Sequence, residues 1–294
     1  RVSILYPARD GAQIPAYLTR PVGQEGPAPL VVLPHGGPES RDVAGFHWMA
    51  HFFASRGYAV LQPNFRGSSG YGAAWRDAGR GGWGTGVMQT DITDGVQVLI
   101  EEGIADPDRV CIVGGSYGGY AALAGAVFTP ELYACAAAIA PVTDVGDFIS
   151  FDRRRRARGS WVVDYWEDII GGDEETSRSL LNAISPARHA GNVREPILLI
   201  HGRDDSVVPI DQSREMERAL RRADKSVELV ELHEDLIDRL QLPARVLNQD
   251  FLTYDSPEPY DAIVILGVME HLPDYPAVLQ RLQKLLKPGG RVYL

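Results

Sequence analysis

The stretch Cys111-Ile-Val-Gly-Gly-Ser-Tyr-Gly-Gly-Tyr120, followed at once by AALAGAV, constrains the fold more than any other part of the chain. An apolar run leads into Gly-x-Ser-x-Gly, and small helix-forming residues continue from it. A serine on so tight a turn must adopt a strained backbone, which is tolerated only where the flanking residues are small. The pattern therefore predicts a strand over Val110–Val113, a sharp turn at Ser116, and a helix over Tyr117–Phe128 whose positive end lies beneath the serine hydroxyl.

The rest of the chain repeats the alternation of short apolar runs with helix-period stretches. Strands are expected at Val2–Tyr6, Ala16–Arg20, Leu30–Leu33, Tyr58–Gln62, Ala134–Ile139, Ile197–Ile200 and Val227–Leu232. Helices are expected near Phe46–Ser55, Met88–Glu102 and Asp211–Arg222. The first strands are joined by turns, with Arg9-Asp10-Gly11 a hairpin signal, and the later ones by helices. That order predicts an α/β fold in which an antiparallel entry leads into a mostly parallel sheet with helices on both faces. With 294 residues the chain is long enough for one or two domains. The character changes after Leu232: a helix over Asp235–Leu240, strands at Arg245–Asn248 and Ala262–Leu266, a helix over Tyr275–Leu286 and a strand from Arg291 form a second α/β pattern that does not continue the first.

A serine hydroxyl is a poor nucleophile near neutral pH and needs a base that is itself oriented by a carboxylate. The expected strand at 197–200 runs into His201-Gly-Arg-Asp204-Asp205, 88 residues beyond Ser116 at the first acid, so either carboxylate could serve. A stabilised oxyanion needs backbone donors that approach the substrate closely. The buried run Val31-Val-Leu followed by Pro34-His35-Gly36-Gly37-Pro38 supplies them: the N–H of Gly37 and that of Tyr117 would form a two-donor hole. His35, beside these glycines, reads as structural or as part of the oxyanion side rather than as the base.

Other chemistries find little support. The formal charge of −10, from 29 basic and 39 acidic residues, argues against a nucleic-acid partner. No apolar run is long enough for a membrane helix, and no cluster of His, Cys and carboxylates has metal-ligand spacing, so neither metal nor cofactor is expected. Cys111 and Cys135 each sit in an apolar run and read as buried thiols. The basic run from Arg153 to Arg158 reads as a solvated loop, with Asp152, Asp164 and Glu167 to balance it, and the alternative is an anion-binding patch. Trp161, Tyr165 and Trp166 fit either a cleft wall or the packed face of a helix.

Four segments in order, HGGP at 35–38, PNFRGSSGYG at 63–72, GGSYGGY at 114–120 and HGRDDSVVP at 201–209, make residues 1–232 resemble the catalytic domain of the prolyl oligopeptidase family, in particular its dipeptidyl and acylaminoacyl peptidase-like members. The resemblance implies an α/β-hydrolase fold, Ser116 as nucleophile, Asp204 as the triad acid, a short peptide or ester as substrate, and an upstream β-propeller. It places Phe148 and Val207 at the first specificity pocket. The family carries its catalytic histidine about thirty residues after the acid, in a glycine-containing loop. His233 lies 29 residues after Asp204 and is the best candidate, although no glycine stands between Gly202 and Gly267 and HEDLIDRL has a helical pattern. His47, His51, His189, His201 and His271 fit less well.

Residues 233–294 resemble the second half of an S-adenosylmethionine-dependent methyltransferase of the cyclopropane-fatty-acid synthase type, with Asp250 in the adenine-facing position. The glycine-rich loop such a cofactor needs is absent ahead of Asp250, so methyl transfer is not expected. The chain thus reads as two catalytic pieces joined near residue 232, the first without its usual closing helix, whether by engineering, natural rearrangement or assembly error. Beginning at Arg1 and stopping in an apolar run at Leu294, it reads as cut at both ends, and as soluble, in cytoplasm or periplasm. Oligomeric state is left open.

Overall fold

The computed structural model describes residues 1–155, 161–171, 177–232, 256, 259–264 and 275–293. Residues Arg1–His233 and Glu234–Leu294 form two separate compact units.

In the first unit, strands β1 (Val2–Pro7), β2 (Gln13–Thr19), β3 (Ala28–Val32), β4 (Ala59–Pro63), β5 (Ala105–Gly115), β6 (Cys135–Ile139), β7 (Ile197–Gly202) and β8 (Val227–Leu232) make one sheet in the order β1-β2-β4-β3-β5-β6-β7-β8. The hairpin β1–β2 is antiparallel and turns at Arg9-Asp10-Gly11, where the Ala8 N–H meets the Ala12 carbonyl at 2.8 Å and Gly11 takes a φ of 86°. Strand β2 also pairs antiparallel with β4, and every later pairing is parallel. Parallel neighbours need crossovers, and helices provide them: α1 (Trp48–Ala54), α2 (Ala73–Asp77), α3 (Val87–Glu101), α4 (Tyr117–Phe128), α5 (Val145–Arg155), α6 (Trp161–Gly171), α7 (Arg178–Ala183) and α8 (Asp211–Arg222), with a 3₁₀ segment over Pro186–Asn192. The strands, the four expected helices and the α/β class match the sequence reading, while α2, α5, α6 and α7 are additional to it.

Alternation along the central strands builds a core on each face. Leu30 and Val32 of β3 and Ile112 of β5 join a large cluster with Ile92 of α3, Leu123 of α4 and Met216 of α8. Val31, Leu33, Val60 and Val113 face the other way and pack with Ala50 of α1.

Two expectations are corrected here. Cys111 and Cys135 are not buried thiols: both are partly exposed and joined in a disulfide, because they fall in register on the neighbouring strands β5 and β6 with Cα atoms 4.7 Å apart. The basic run is not a loop over its described part, since Arg153, Arg154 and Arg155 form the last turn of α5, where cations favour the negative end of the helix dipole. Arg153 pairs with Glu167 of α6. Trp166 packs edge-to-face on Phe148 and donates from Nε1 to the Asp152 carboxylate at 3.2 Å, so it belongs to the core, whereas Trp161 is exposed.

In the second unit, β9 (Tyr260–Val264) and β10 (Leu286–Tyr293) pair in parallel and are connected by α9 (Tyr275–Leu285). Leu282 and Leu285 are buried, and Lys287 bonds Asp261 at 2.9 Å. The expected helix at 235–240 and strand at 245–248 lie outside the described residues, as do Asp250, His271, Arg156 and Arg158.

Candidate active site

The serine turn is built by close approach of backbones. Ser116 sits at φ 55°, ψ −120°, immediately ahead of α4, and its N–H donates to the Ile139 carbonyl of β6 at 2.8 Å. A methyl group on Gly114 would stand 2.2 Å from the Gly118 carbonyl oxygen, and one on Gly118 would stand 2.2 Å from that of Pro34. Glycine at both positions is therefore a steric requirement of the turn, and it draws the end of β3 against the start of α4. The partly exposed Ser116 hydroxyl makes no hydrogen bond to another described residue. Tyr117 is the first residue of α4, so its N–H has no intrahelical acceptor and is free to donate to a bound group. Its buried ring packs against Phe65 and Trp83.

The His35–Gly37 segment lies on the same turn. A methyl on Gly36 would come 3.3 Å from the Gly115 carbonyl oxygen and 3.6 Å from Ser116 Cβ. Gly37, at φ 121°, is exposed. His35 stacks on Phe65 with ring centroids 4.5 Å apart; its Nδ1 lies 2.7 Å from the Gly36 carbonyl oxygen and its Nε2 2.8 Å from Ser68 Oγ. Desolvation pushes its pKa down to about 4, so the ring is neutral at pH 7. The segment at 63–72 braces this loop: Asn64 accepts from the Asp42 N–H at 2.8 Å and donates to Tyr71 Oη at 2.7 Å, while the Arg66 guanidinium forks onto the fully buried Asp91 carboxylate.

The two acids after β7 are no longer equivalent. Asp205 Oδ1 accepts the N–H groups of Val207 at 2.8 Å and Val208 at 2.9 Å, so it is used in closing the turn. Asp204 is exposed and bonds no described residue. His201 is fully buried between Ser213 Oγ at 2.7 Å and the Val208 carbonyl at 2.8 Å, fastening the same loop from beneath. Val207 is exposed on it, and Arg155 at the end of α5 donates to the neighbouring Ser206 carbonyl. Phe148 is buried in the core.

No described histidine bonds Ser116 or Asp204. His47 caps α1, accepting from the Ala50 N–H; His51 reaches the His47 carbonyl and stacks on Phe46; His189 reaches the Asn182 carbonyl. His233 lies outside the described residues. What precedes it is well fixed: β8 pairs with β7 up to Gly202–Leu232, and the Arg203 N–H donates to the Leu232 carbonyl at 2.9 Å. Glu231 is held by both Arg203 and Arg214, whose guanidinium groups lower its pKa to about 2.

A model of the prolyl oligopeptidase family matches residues 44–235. The chain belongs to that family. A methyltransferase-domain model matches residues 203–294, overlapping the first match across the end of the sheet. Among similar proteins, dipeptidyl aminopeptidase BIII of Pseudoxanthomonas mexicana is 35% identical over 229 residues, covering 72% of this chain and 32% of that protein. The human acylamino-acid-releasing enzyme is 30% identical over 210 residues, covering 69% and 27%. The structure of a Mycobacterium tuberculosis puromycin-hydrolysing peptidase superposes with a TM-score of 0.69 at 30% identity, covering 78% of this chain and 35% of its own. This family member spans about a third of the length of such relatives. Its sheet and helices are those of the α/β-hydrolase peptidases. Among the described residues no group of three or more His, Cys, Asp or Glu could hold a metal ion, and no helix is long and apolar enough to cross a membrane.

Proposed function

We propose that residues 1–232, together with His233, act as a serine peptidase or esterase on short peptides or esters. Ser116 Oγ attacks the substrate carbonyl and His233 takes its proton, while Asp204 holds the imidazole in the required tautomer. The N–H groups of Gly37 and Tyr117 receive the oxyanion. The histidine then protonates the departing amine or alcohol, and water, deprotonated by the same ring, releases the acyl group from Ser116.

The observation that carries this reading is the pairing of the strand ends. Ser116 bonds the end of β6, the Ala140 N–H bonds the Ile200 carbonyl of β7, and Arg203 bonds Leu232 of β8. Positions 116 and 204 therefore follow strand ends on one side of the sheet, and β8 ends at Leu232 on that same side. The peptidase activity of the dipeptidyl, acylaminoacyl and puromycin-hydrolysing relatives supports the same chemistry. Val207 and the buried Phe148 are proposed to shape the pocket for the side chain preceding the scissile bond.

Labelling with a fluorophosphonate probe tests the assignment. Labelling of the parent that is lost in both Ser116→Ala and His233→Ala is the expected result. Loss with Ser116→Ala alone would assign the base to another histidine. A folded but unlabelled parent would mean that joining the methyltransferase-like segment left a hydrolase fold without its base.

A further inference from the structure

We propose that the cavity between the end of β2 and the last turn of α1 binds a small organic anion, its carboxylate or phosphate head held by Arg20 and Thr19 and its apolar body lying on Val22 and Ala54. The site stands apart from the Ser116 turn and does not depend on the serine-hydrolase reading.

The cavity has a volume of about 660 Å³, a size that takes a compact organic molecule. It opens outside the edge of the sheet opposite the serine turn. Thr19 pairs with Val60 near the start of β4, whereas Ser116 follows the end of β5. Arg1, Thr19, Arg20 and His51 contribute polar wall, and Val22 and Ala54 contribute apolar wall. No described Asp or Glu lines it. In a chain of net charge −10 such a wall is a local reversal of sign, and it favours an anion.

The wall also carries binding capacity that the fold leaves unused. Elsewhere arginines are matched with carboxylates: Arg9 with Asp94, Arg66 with Asp91, Arg188 with Asp144 and Arg214 with Glu231. Arg20 is exposed and holds no carboxylate among the described residues. Its planar fork of N–H donors matches two oxygens of a carboxylate or phosphate. Thr19 is only 4% exposed, and its Oγ1 has no hydrogen-bond partner among the described residues. A buried hydroxyl left in that state destabilises the fold. Rotation about one side-chain bond exchanges its oxygen and methyl positions, so a ligand oxygen can take up the hydroxyl proton. Arg1 extends the donor set. Its guanidinium lies 4.3 Å from the Tyr17 ring centroid and donates from Nη1 to the Gly45 carbonyl at 2.6 Å, while Nε and Nη2 have no partners among the described residues. Asp42, the acid whose charge acts on Arg1, neither lines the cavity nor forms an ion pair with it.

Benzoate, phenyl phosphate and benzyl alcohol each carry one aromatic ring and differ in head group, so calorimetric titration of the full chain with each reads the assignment. The two anions are expected to bind with Kd of about 1 mM or tighter, and the alcohol about tenfold more weakly or not at all. The tighter anion identifies the head as carboxylate or phosphate. Arg20→Gln should weaken that anion by about tenfold or more, and Thr19→Val by about fivefold.

A second readout needs no ligand. Valine fills the space of threonine and has no hydroxyl to satisfy, so Thr19→Val should raise Tm by about 2–4 °C for a unit of this size. A residue kept for a ligand gives up affinity as the fold gains stability, whereas a threonine kept for the fold would lose stability. Equal binding of all three compounds, no binding of either anion up to about 10 mM, a folded Arg20→Gln that binds like the parent, or a fall in Tm for Thr19→Val overturns the proposal.

Discussion

Replacing Ser116 by glycine should stabilise the protein relative to replacing it by alanine, which reverses the usual order. Ser116 has φ 55° and ψ −120°, a region that costs a residue with a Cβ on the order of 1–3 kcal/mol. Alanine keeps that cost and glycine escapes it. Glycine in turn loses about 0.4–1 kcal/mol through the greater freedom of its unfolded chain. The difference leaves glycine ahead by about 1 kcal/mol, or about 2–4 °C in Tm for a unit of this size. Urea or thermal unfolding of Ser116→Ala and Ser116→Gly reads it directly, and both variants remove the hydroxyl, so the comparison isolates the backbone. Arg218, exposed on α8, supplies the control: there glycine should be about 1 kcal/mol worse than alanine. If glycine is no better than alanine at 116 while the control behaves normally, the strain assigned to the turn is not present in the folded protein.

Three further outcomes are expected. Gly118→Ala, whose methyl would meet the Pro34 carbonyl at 2.2 Å, should destabilise by about 3 kcal/mol or more and abolish probe labelling; a normal melt would refute the close approach. Asp42 is buried beside Arg1 and His47, and desolvation raises its pKa to about 6, so the folded state holds its proton more tightly than the unfolded chain does. Its contribution to stability is therefore greatest below about pH 4 and is lost as pH rises through 6, and Asp42→Asn should gain on the order of 2 kcal/mol over the parent at pH 8 but nothing at pH 4. Protein purified under oxidising conditions should show no alkylatable thiol when unfolded, and reduction of the Cys111–Cys135 bond, which spans 24 residues, should cost about 3 kcal/mol; two reactive thiols would refute the pairing.

Much of this was legible in the sequence because the deciding signals are local. Each of the eight strands of the first unit overlaps an expected apolar run, although β5 starts five residues ahead of Val110, and α4 and α8 begin and end where the periodicity does. Helix α5 was obscured by its own ending, since four consecutive arginines suggest a solvated loop when they stand apart from the apolar face of Val145, Phe148 and Ile149. The disulfide depends on which strands become neighbours, and parallel register between residues 111 and 135 follows from the crossover, which no local pattern specifies. The two acids at 204 and 205 are alike as letters, and only the turn that consumes Asp205 distinguishes them. His35 stood out beside its glycines, but its hold on Gly36 exists only once Phe65 and Ser68 arrive from another segment.

The glycine contacts around the serine turn also bear on recombination. Residues 34–36, 114 and 118 meet backbone to backbone with no room for a methyl group at 114 or 118. A crossover placed anywhere between residues 38 and 114 would draw the two halves of that contact from different parents, and both would have to bring the same glycines and the same chain path. A crossover just past Leu232 divides none of it. A gene can therefore exchange everything beyond β8 in a single event and still inherit the Ser116 turn, the His35–Gly37 loop and the strand that runs into Asp204 as one block.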